Sequence, residues 1–543
     1  MSRLQLDESK VFECVLDRED RACPACGGKM HVRCRRERTL QTLKGPLRLN
    51  IKLVQCRQEC CDERKLFSPE QEKQYAMPRW GIGWDVFCWI GQRRFSRHWS
   101  VPQIRHELSD SYDIQLSDDA IEDHLASYQH MVAARHQDLR VMKDAYRDSG
   151  EVVLTIDGLQ PEKGHETLYV VREVTQHRVW FAEPLLSGAT DEIRQLFVRA
   201  KQIADTLRMK VVLWISDKQD AFLRCITEEF PDTPHRYCEN HFFRDLAKPV
   251  LEIDSTAKKT MRAKIRGLRA LEREVLQSRQ ADTSDTRSPP GEAEETSTLS
   301  GEAGNVVLDY CSVVRGILND NHGGPYHPPG VRMLDAMADV QQSLERIASS
   351  EKVGPAFTLL HRLHGFIDRG VADQQQTFAR VRKYTDQVRQ VMDLMNTANG
   401  PFVADREPHF TAMIDEFKRS PGDTIYSHFA KVMTSFRVGL FAGADITLYP
   451  RDNLDLERWF RLPKSHERRI HGHHHAGIRI VRDGPTLIPT LDAHANHPGV
   501  FTREDLSPFE TATAPPSQLE SQQRHGIMRK SRSKKNDSFC SEN

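Results

Sequence analysis

Seven of the chain's 12 cysteines fall between residues 14 and 61, and no other feature constrains the fold so tightly. Cys23-Pro-Ala-Cys26-Gly-Gly is a knuckle, a tight turn in which two thiolates converge while backbone N–H groups support the sulfurs. After 29 intervening residues come Cys56 and the pair Cys60-Cys61. The intervening TLKGPLRLNIKLVQ alternates enough to predict a β-hairpin. Two knuckles joined by strands make a zinc ribbon, with Cys23, Cys26, Cys56 and Cys61 as the Zn²⁺ ligands. Cys60 is the alternative fourth ligand; Cys61 is preferred because it leaves a four-residue loop. Thiols this crowded would be reactive if left free. A secreted disulfide scaffold would spread its cysteines through a short chain, which a 543-residue chain with clustered thiols does not resemble.

That length corresponds to about three or four domains. Hydrophobic residues make up 38% and charged residues 28%, enough for several packed cores under a highly charged surface. Lys+Arg and Asp+Glu both number 77, so global charge says nothing about nucleic acid and local patches must decide. No run of about 18 apolar residues is present, so no membrane partner is expected. The start, MSRLQLDESK, lacks the apolar stretch of a secretory leader, which points to the cytoplasm.

Pattern then divides the chain. Residues 1–75 are the zinc-ribbon-like module, and 80–146 read as helical, with a helix-turn-helix-like pair in which Ser117 caps the second helix. Residues 151–250 change character: EVVLTID, TLYVVREV and RVWFAEPLL are strand-like, and KVVLWISD is a further short strand after an amphipathic helix. Three strands followed by alternating helices and strands predict a mixed sheet with helices on its faces. Residues 251–445 read as all-helical, broken by 278–305, a Ser/Thr/Pro/Gly/Glu-rich loop with a disordered composition. Helix returns over 446–482, and 490–543 reads as a flexible basic tail carrying RKSRSKK.

Asp157 ends the first of those strands and Asp217 the fourth. Ligands of open α/β sheets gather beyond the carboxyl ends of strands, so carboxylates on neighbouring strand ends can share a metal. An Asp at a strand end is also an ordinary cap or turn residue. Glu457, in DNLDLERWFRLPKSHERR, is the candidate third carboxylate; Asp220, Asp452, Asp455 and Glu467 are its rivals for the ligand set.

TIDG (155–158), ISD (215–217), Cys238-x-x-His241 in YCENHFFRDL, and NLDLERWFRLPKSHERRIHGH (453–473) together resemble a DDE transposase domain of the RNase H-like, retroviral-integrase-like type. More narrowly, the chain resembles Mutator-like transposases and the zinc-ribbon insertion-sequence transposases of bacteria. The resemblance spans about 151–480, and such proteins carry a helical insertion between the second Asp and the Glu, here 240 positions apart. It implies a multidomain α/β fold with a helical insertion in an RNase H-like core. It implies Asp157, Asp217 and Glu457 as ligands of two Mg²⁺ (or Mn²⁺) ions for cleaving and joining DNA strands. It places Cys238 and His241 near those carboxylates, and makes the zinc ribbon a reader of terminal repeats on double-stranded DNA. A homodimer or larger assembly on DNA, associated with a bacterial nucleoid, is expected. Two other readings stay open: a nuclease on the same fold that cuts without joining, and a non-catalytic DNA-binding regulator.

The basic residues Arg93, Arg94 and Arg97, and Arg458, Arg461, Lys464, Arg468 and Arg469, are the DNA-contact candidates. Asp118, Asp119, Glu122 and Asp123 make the second helix of the helix-turn-helix-like pair acidic at its start, a poor fit to a phosphate-lined groove. Five histidines crowd 466–475 and read as exposed polar residues, partly protonated below about pH 6.5.

Overall fold

A computed structural model describes residues 11–58, 61, 65–160, 164–284, 299, 301–349, 354–396, 403–443, 450–472 and 477–540. The chain divides into two compact units, one formed by Met1–Arg236 with Leu448–Asn543, the other by Tyr237–Thr447.

The first unit opens with strands β1 (Phe12–Leu16), β2 (Met30–Thr42) and β3 (Gly45–Cys56). β2 and β3 form the expected antiparallel hairpin, and β1 adds in parallel to the other edge of β3. A short helix, α1 (Glu72–Tyr75), packs its end on this sheet, where Ala76 joins Leu16, Leu40, Leu49 and Ile51 in a small core. The buried Glu72 pairs with Arg36 and Arg38 of β2 and so fixes α1 to the hairpin.

Helices α2 (Trp84–Phe95), α3 (Val101–Tyr112), α4 (Asp118–Gln137) and α5 (Leu139–Ala145) follow. Ser100 and Gln103 form a capping box at the start of α3, and the Ser117 hydroxyl accepts from the Ala120 N–H at the start of α4, as the sequence predicts.

The main sheet comprises β4 (Glu151–Leu159), β5 (Thr167–Glu173), β6 (Arg178–Leu185), β7 (Lys210–Ser216) and β8 (His235–Tyr237), in the order β6-β5-β4-β7-β8. β4 and β5 pair antiparallel, as do β5 and β6, while β4 and β7 run parallel. The mixed sheet expected from three strands and then alternation is therefore present. β4 and β5 are buried along most of their length and predominantly apolar because both sheet faces are covered. Helices α6 (Thr190–Leu207) and α7 (Asp220–Glu229) cover one face: Ile193, Leu196, Phe197, Phe222 and Ile226 pack on Leu154, Ile156, Val171 and Trp214.

The second unit holds α8 (Glu239–Lys264), α9 (Leu268–Ser284), α10 (Glu302–Asn319), α11 (Pro329–Ala348), α12 (Pro355–Ala372), α13 (Gln375–Met395), α14 (Val403–Lys418) and α15 (Thr424–Leu440). Met261, Leu271, Val275, Val307, Cys311, Met337, Leu363 and Phe378 share its core. Asp254, 1% exposed, accepts from the Gly330 and Val331 N–H groups at 2.7 and 2.9 Å and so caps α11 from within α8. Most of the loop expected over 278–305 lies outside the described residues, between the end of α9 and the start of α10.

The chain then returns to the first unit with α16 (Leu454–Trp459), α17 (Arg461–His471), α18 (Gly477–Asn496), α19 (Arg503–Leu506) and α20 (Pro516–Cys540). α16 and α18 cover the second sheet face, where Leu456, Phe460, Ile480, Val481 and Ile488 meet Leu159, Leu168, Val170 and Val179. α18 also closes the core of α2–α4 through Leu487 and Leu491. The stretch from 490 onward, read from its polar composition as a bare tail, is instead helical over much of its length. α20 buries Gln518 and Ser521, held by polar contacts that composition does not reveal.

One buried acid joins these layers. Asp492, fully buried on α18, accepts from the Val179 N–H at 2.8 Å and pairs with Arg172 at 3.3 Å; His136 of α4 lies 3.3 Å from the same carboxylate. Arg172 also reaches Asp455 of α16 at 3.2 Å. Removing one partner of a buried ion pair costs about 3–5 kcal/mol, because the other charge is left uncompensated. Asp492→Ala is therefore expected to lower stability by about that amount, read by denaturant unfolding. Asp492→Asn keeps an acceptor for the Val179 N–H and should cost less; equal stability of both variants and the wild type would contradict this role.

Candidate metal centres and the carboxylate site

The first centre lies at the base of the β2–β3 hairpin. The Cys23 N–H bonds the Gly28 carbonyl and the Gly27 N–H bonds the Cys23 carbonyl, each at 2.8 Å, closing the knuckle. Gly27 takes φ +71°, a conformation that favours glycine, and a Cβ on Gly28 would lie 2.5 Å from the Gln58 side chain. One donor atom each from Cys23, Cys26, Cys56 and Cys61 falls within 4.8 Å of all the others. Cys23 and Cys61 sulfurs are 3.7 Å apart, and those of Cys26 and Cys56 are 3.6 Å apart. Sulfurs at about 2.3 Å from a tetrahedral zinc are separated by about 3.8 Å, so the four thiols fit Zn²⁺. Hydrogen bonds from the backbone of Cys26 and Ala25 pull the Cys23 thiol down to about 7. Cys61 occupies the fourth corner; Cys60 lies outside the described residues. Cys34 is exposed and Cys14 contacts the Tyr75 hydroxyl, so both stand apart from the cluster.

The carboxylates named from the sequence stand on the main sheet and on the helix that covers it. β4 and β7 are last paired at Thr155 and Ile215, and two residues beyond each comes an aspartate, Asp157 and Asp217. Parallel neighbours lie about 4.8 Å apart, so the two carboxylates leave adjacent strands at the same level. Asp157 Oδ1 accepts from the Gly158 N–H at 2.8 Å. The next residue must be small: a Cβ on Gly158 would come within 2.8 Å of Thr167 and 3.1 Å of the Tyr169 ring.

Tyr169 senses both acids. Burial pushes its phenol up, and the negative charges of Asp217 and Asp157 add to that shift against a bond with Gln219 that opposes it. One hydroxyl thus lies in the field of both carboxylates.

Glu457 sits on α16, which is fastened to β4 by Asn453. That residue is 2% exposed; its carboxamide oxygen accepts from the Thr155 hydroxyl, and its Nδ2 donates to the Ile156 carbonyl at 3.3 Å. The Glu457 N–H bonds the Asn453 carbonyl at 3.0 Å, so the glutamate stands one helical turn beyond the anchor. Thr155 and Asp157 share one sheet face by strand alternation, and α16 packs there.

The rival acids differ in their surroundings. Asp452 accepts from the Leu454 N–H at 3.0 Å. Asp455 pairs with Arg172. Asp220 opens α7. Glu467 is buried beside a polar cavity that it shares with Arg94, Arg479 and Arg482; burial pushes its carboxyl up to about 7. Cys238 stands at the N-cap position of α8 in the second unit and is fully buried, with His241 in the first turn of that helix.

Six of the eight basic candidates are exposed: Arg97, Arg458, Arg461, Lys464, Arg468 and Arg469. Arg93 and Arg94 are not. Arg93 lies over the Trp89 and Trp99 rings at 4.7 and 5.2 Å, and Arg94 donates to the Trp99 carbonyl at 3.1 Å. The histidine cluster also divides. His466, read as exposed, is 1% exposed and 2.9 Å from His98; burial holds its pKa well below the ordinary value, so it stays neutral. His473, His474 and His475 lie outside the described residues.

No described helix is long and apolar enough to cross a membrane. No protein-family model matches the chain, and no curated protein does. Among solved structures, the strand transfer complex of the Drosophila P element transposase aligns with a TM-score of 0.30 and 10% identity, covering 76% of this chain and 91% of that one. A likeness of that extent assigns neither fold nor function.

Zinc loading tests the first centre. Cys61→Ser is expected to lose zinc measured by elemental analysis of the purified protein, whereas Cys60→Ser retains it; the reverse result would move the fourth ligand to Cys60.

Proposed function

We propose that this chain is a transposase that binds the ends of a mobile element and cleaves and joins DNA strands at Asp157, Asp217 and Glu457. The observation that carries this reading is the convergence on β4: two aspartates at the same level of adjacent parallel strands, and a glutamate on the helix that Asn453 ties to one of them. The strand order, three antiparallel strands followed by a parallel fourth, supports an RNase H-like core.

The donor set consists of oxygens alone, which fits Mg²⁺ or Mn²⁺ better than the thiophilic ion of the cysteine cluster. Asp157, Asp217 and Glu457 would hold such ions, whose chemistry, when bound, is activation of the attacking oxygen and stabilisation of the leaving one. The chain's own contribution is positioning. β4 and β7 fix the two aspartates, the buried carboxamide of Asn453 fixes the pitch and height of α16, and Tyr169 of the neighbouring β5 stays protonated in the field of both aspartates. Arg461, Lys464 and Arg468 recur at helical spacing along the exposed side of α17, where they can neutralise phosphates on either side of the reacting one. The zinc ribbon is the module for contacting terminal repeats, and since two ends have to be held at once, an assembly of at least two chains belongs to the reading.

Purified protein incubated with Mg²⁺ and double-stranded DNA carrying the element's ends is expected to nick those ends and yield joined products. Asp157→Asn, Asp217→Asn and Glu457→Gln should each lower cleavage by about 10²–10³-fold or more, with DNA binding by gel shift retained. Cleavage that persists in any of the three removes that residue from the site. Cutting without joined product makes the protein a nuclease, and a gel shift without cutting makes it a regulator; either outcome overturns the proposal.

A further inference from the structure

His165, Glu166 and His525 come together although 359 positions separate Glu166 from His525. His165 and Glu166 lie at the entry to β5, and His525 lies on α20. Each offers one donor atom, and the three atoms lie within 4.8 Å of one another. Glu166 is fully buried. Its Oε1 accepts from Arg524 Nε at 2.7 Å and from the Ser521 hydroxyl at 3.4 Å. Its Oε2 lies 3.0 Å from His525 Nε2, and the His165 and His525 rings are 5.2 Å apart between centroids.

An ion pair alone does not account for this arrangement. Arg524 by itself balances the charge on Glu166, yet His525 also meets the other carboxylate oxygen and the His165 ring stands beside His525. A carboxylate with one oxygen clamped by an arginine and a hydroxyl, and the other meeting an imidazole that has a second imidazole beside it, is how outer partners orient a metal ligand. We propose that His165, Glu166 and His525 form a second metal site, for a divalent transition ion such as Zn²⁺, that fastens α20 to the edge of β5. Two imidazoles and one carboxylate suit that class of ion, and three protein ligands leave a position open to water. Through α20 the site would set whether the basic segment Arg529–Lys535 is carried on a docked helix or released with it. This inference does not rest on the proposed catalytic function.

The test uses the full chain, stripped with a chelator and reloaded with Zn²⁺ or Co²⁺. Elemental analysis should find one more ion per chain than the cysteine cluster holds. With Co²⁺, the cysteine centre gives strong thiolate-to-metal charge transfer and the second site does not. His165→Gln leaves the Glu166–Arg524 pair in place, and should lower the metal count by one while the charge-transfer band is unchanged. Amide exchange over Pro516–Gly526 should slow on metal addition in the wild type and not in His165→Gln. Glu166→Gln provides a second variant with the same expected loss of one ion. A wild-type count no higher than the cysteine centre accounts for, or a His165→Gln count equal to the wild type, overturns the proposal.

Discussion

A single buried carboxamide sets the geometry on which the proposed carboxylate site depends. Asn453 presents an acceptor to the Thr155 hydroxyl and a donor to the Ile156 carbonyl, so it satisfies two polar groups of β4 at once. No aspartate could do so, since it has no donor when ionised, and no leucine could satisfy either. The pairing fixes α16 in translation and rotation before any apolar contact is counted. Leu456 and Phe460 then seat the helix against Leu159, Leu168 and Val170, and Glu457 follows from the helical repeat. The proposed site would therefore be built on two adjacent strands and a helix, elements that hold a side chain more tightly than loops do.

The same region shows why the acids around Glu457 are not interchangeable. Asp455 answers Arg172, whose guanidinium also lies over the Trp459 ring and reaches Asp492. Asp492 in turn serves a backbone N–H of β6. These groups form one chain of charge, buried at Arg172 and Asp492 and open to solvent at Asp455, that joins β5, β6, α16 and α18. Asp455 and Asp492 are thus both committed to Arg172.

Much of this was legible along the chain, and the legible part is local. The cysteine knuckle declares itself because its turn and both its ligands lie within six residues, Cys23 to Gly28. β4 and β7 declare themselves through short apolar runs rich in β-branched residues, as strands covered on both faces carry. Asn453 stood within the motif that drew attention to Glu457, but nothing local revealed that its side chain would reach back to Thr155, 298 residues earlier. The His136–Asp492–Arg172 network and the His165–Glu166–His525 group were hidden for the same reason: a polar residue's partner is set by topology, and composition assigns it to the surface by default. The expectation of a bare tail beyond 490 failed on that account, since what seats α20 is a set of polar contacts to Glu166 and Thr486 and not an apolar stripe.

α17 makes the point in one helix. Its buried residues are Pro463, His466, Glu467 and Ile470, spaced as i, i+3, i+4 and i+7, the repeat of a helix with one face against a core. Two of the four are ionisable, so a search for apolar periodicity passes over the pattern and sees only a run of charge. Once His466 and Glu467 are counted as inward, the outward positions are Arg461, Lys464, Arg468 and Arg469, and the basic surface follows without further assumption. Applied to α2, the same counting reaches the opposite result, because Trp89 and Trp99 supply aromatic faces that draw Arg93 inward. Whether a basic residue meets solvent or a ring is decided by what stands one turn away, and that is the level at which a charge run becomes a candidate DNA surface.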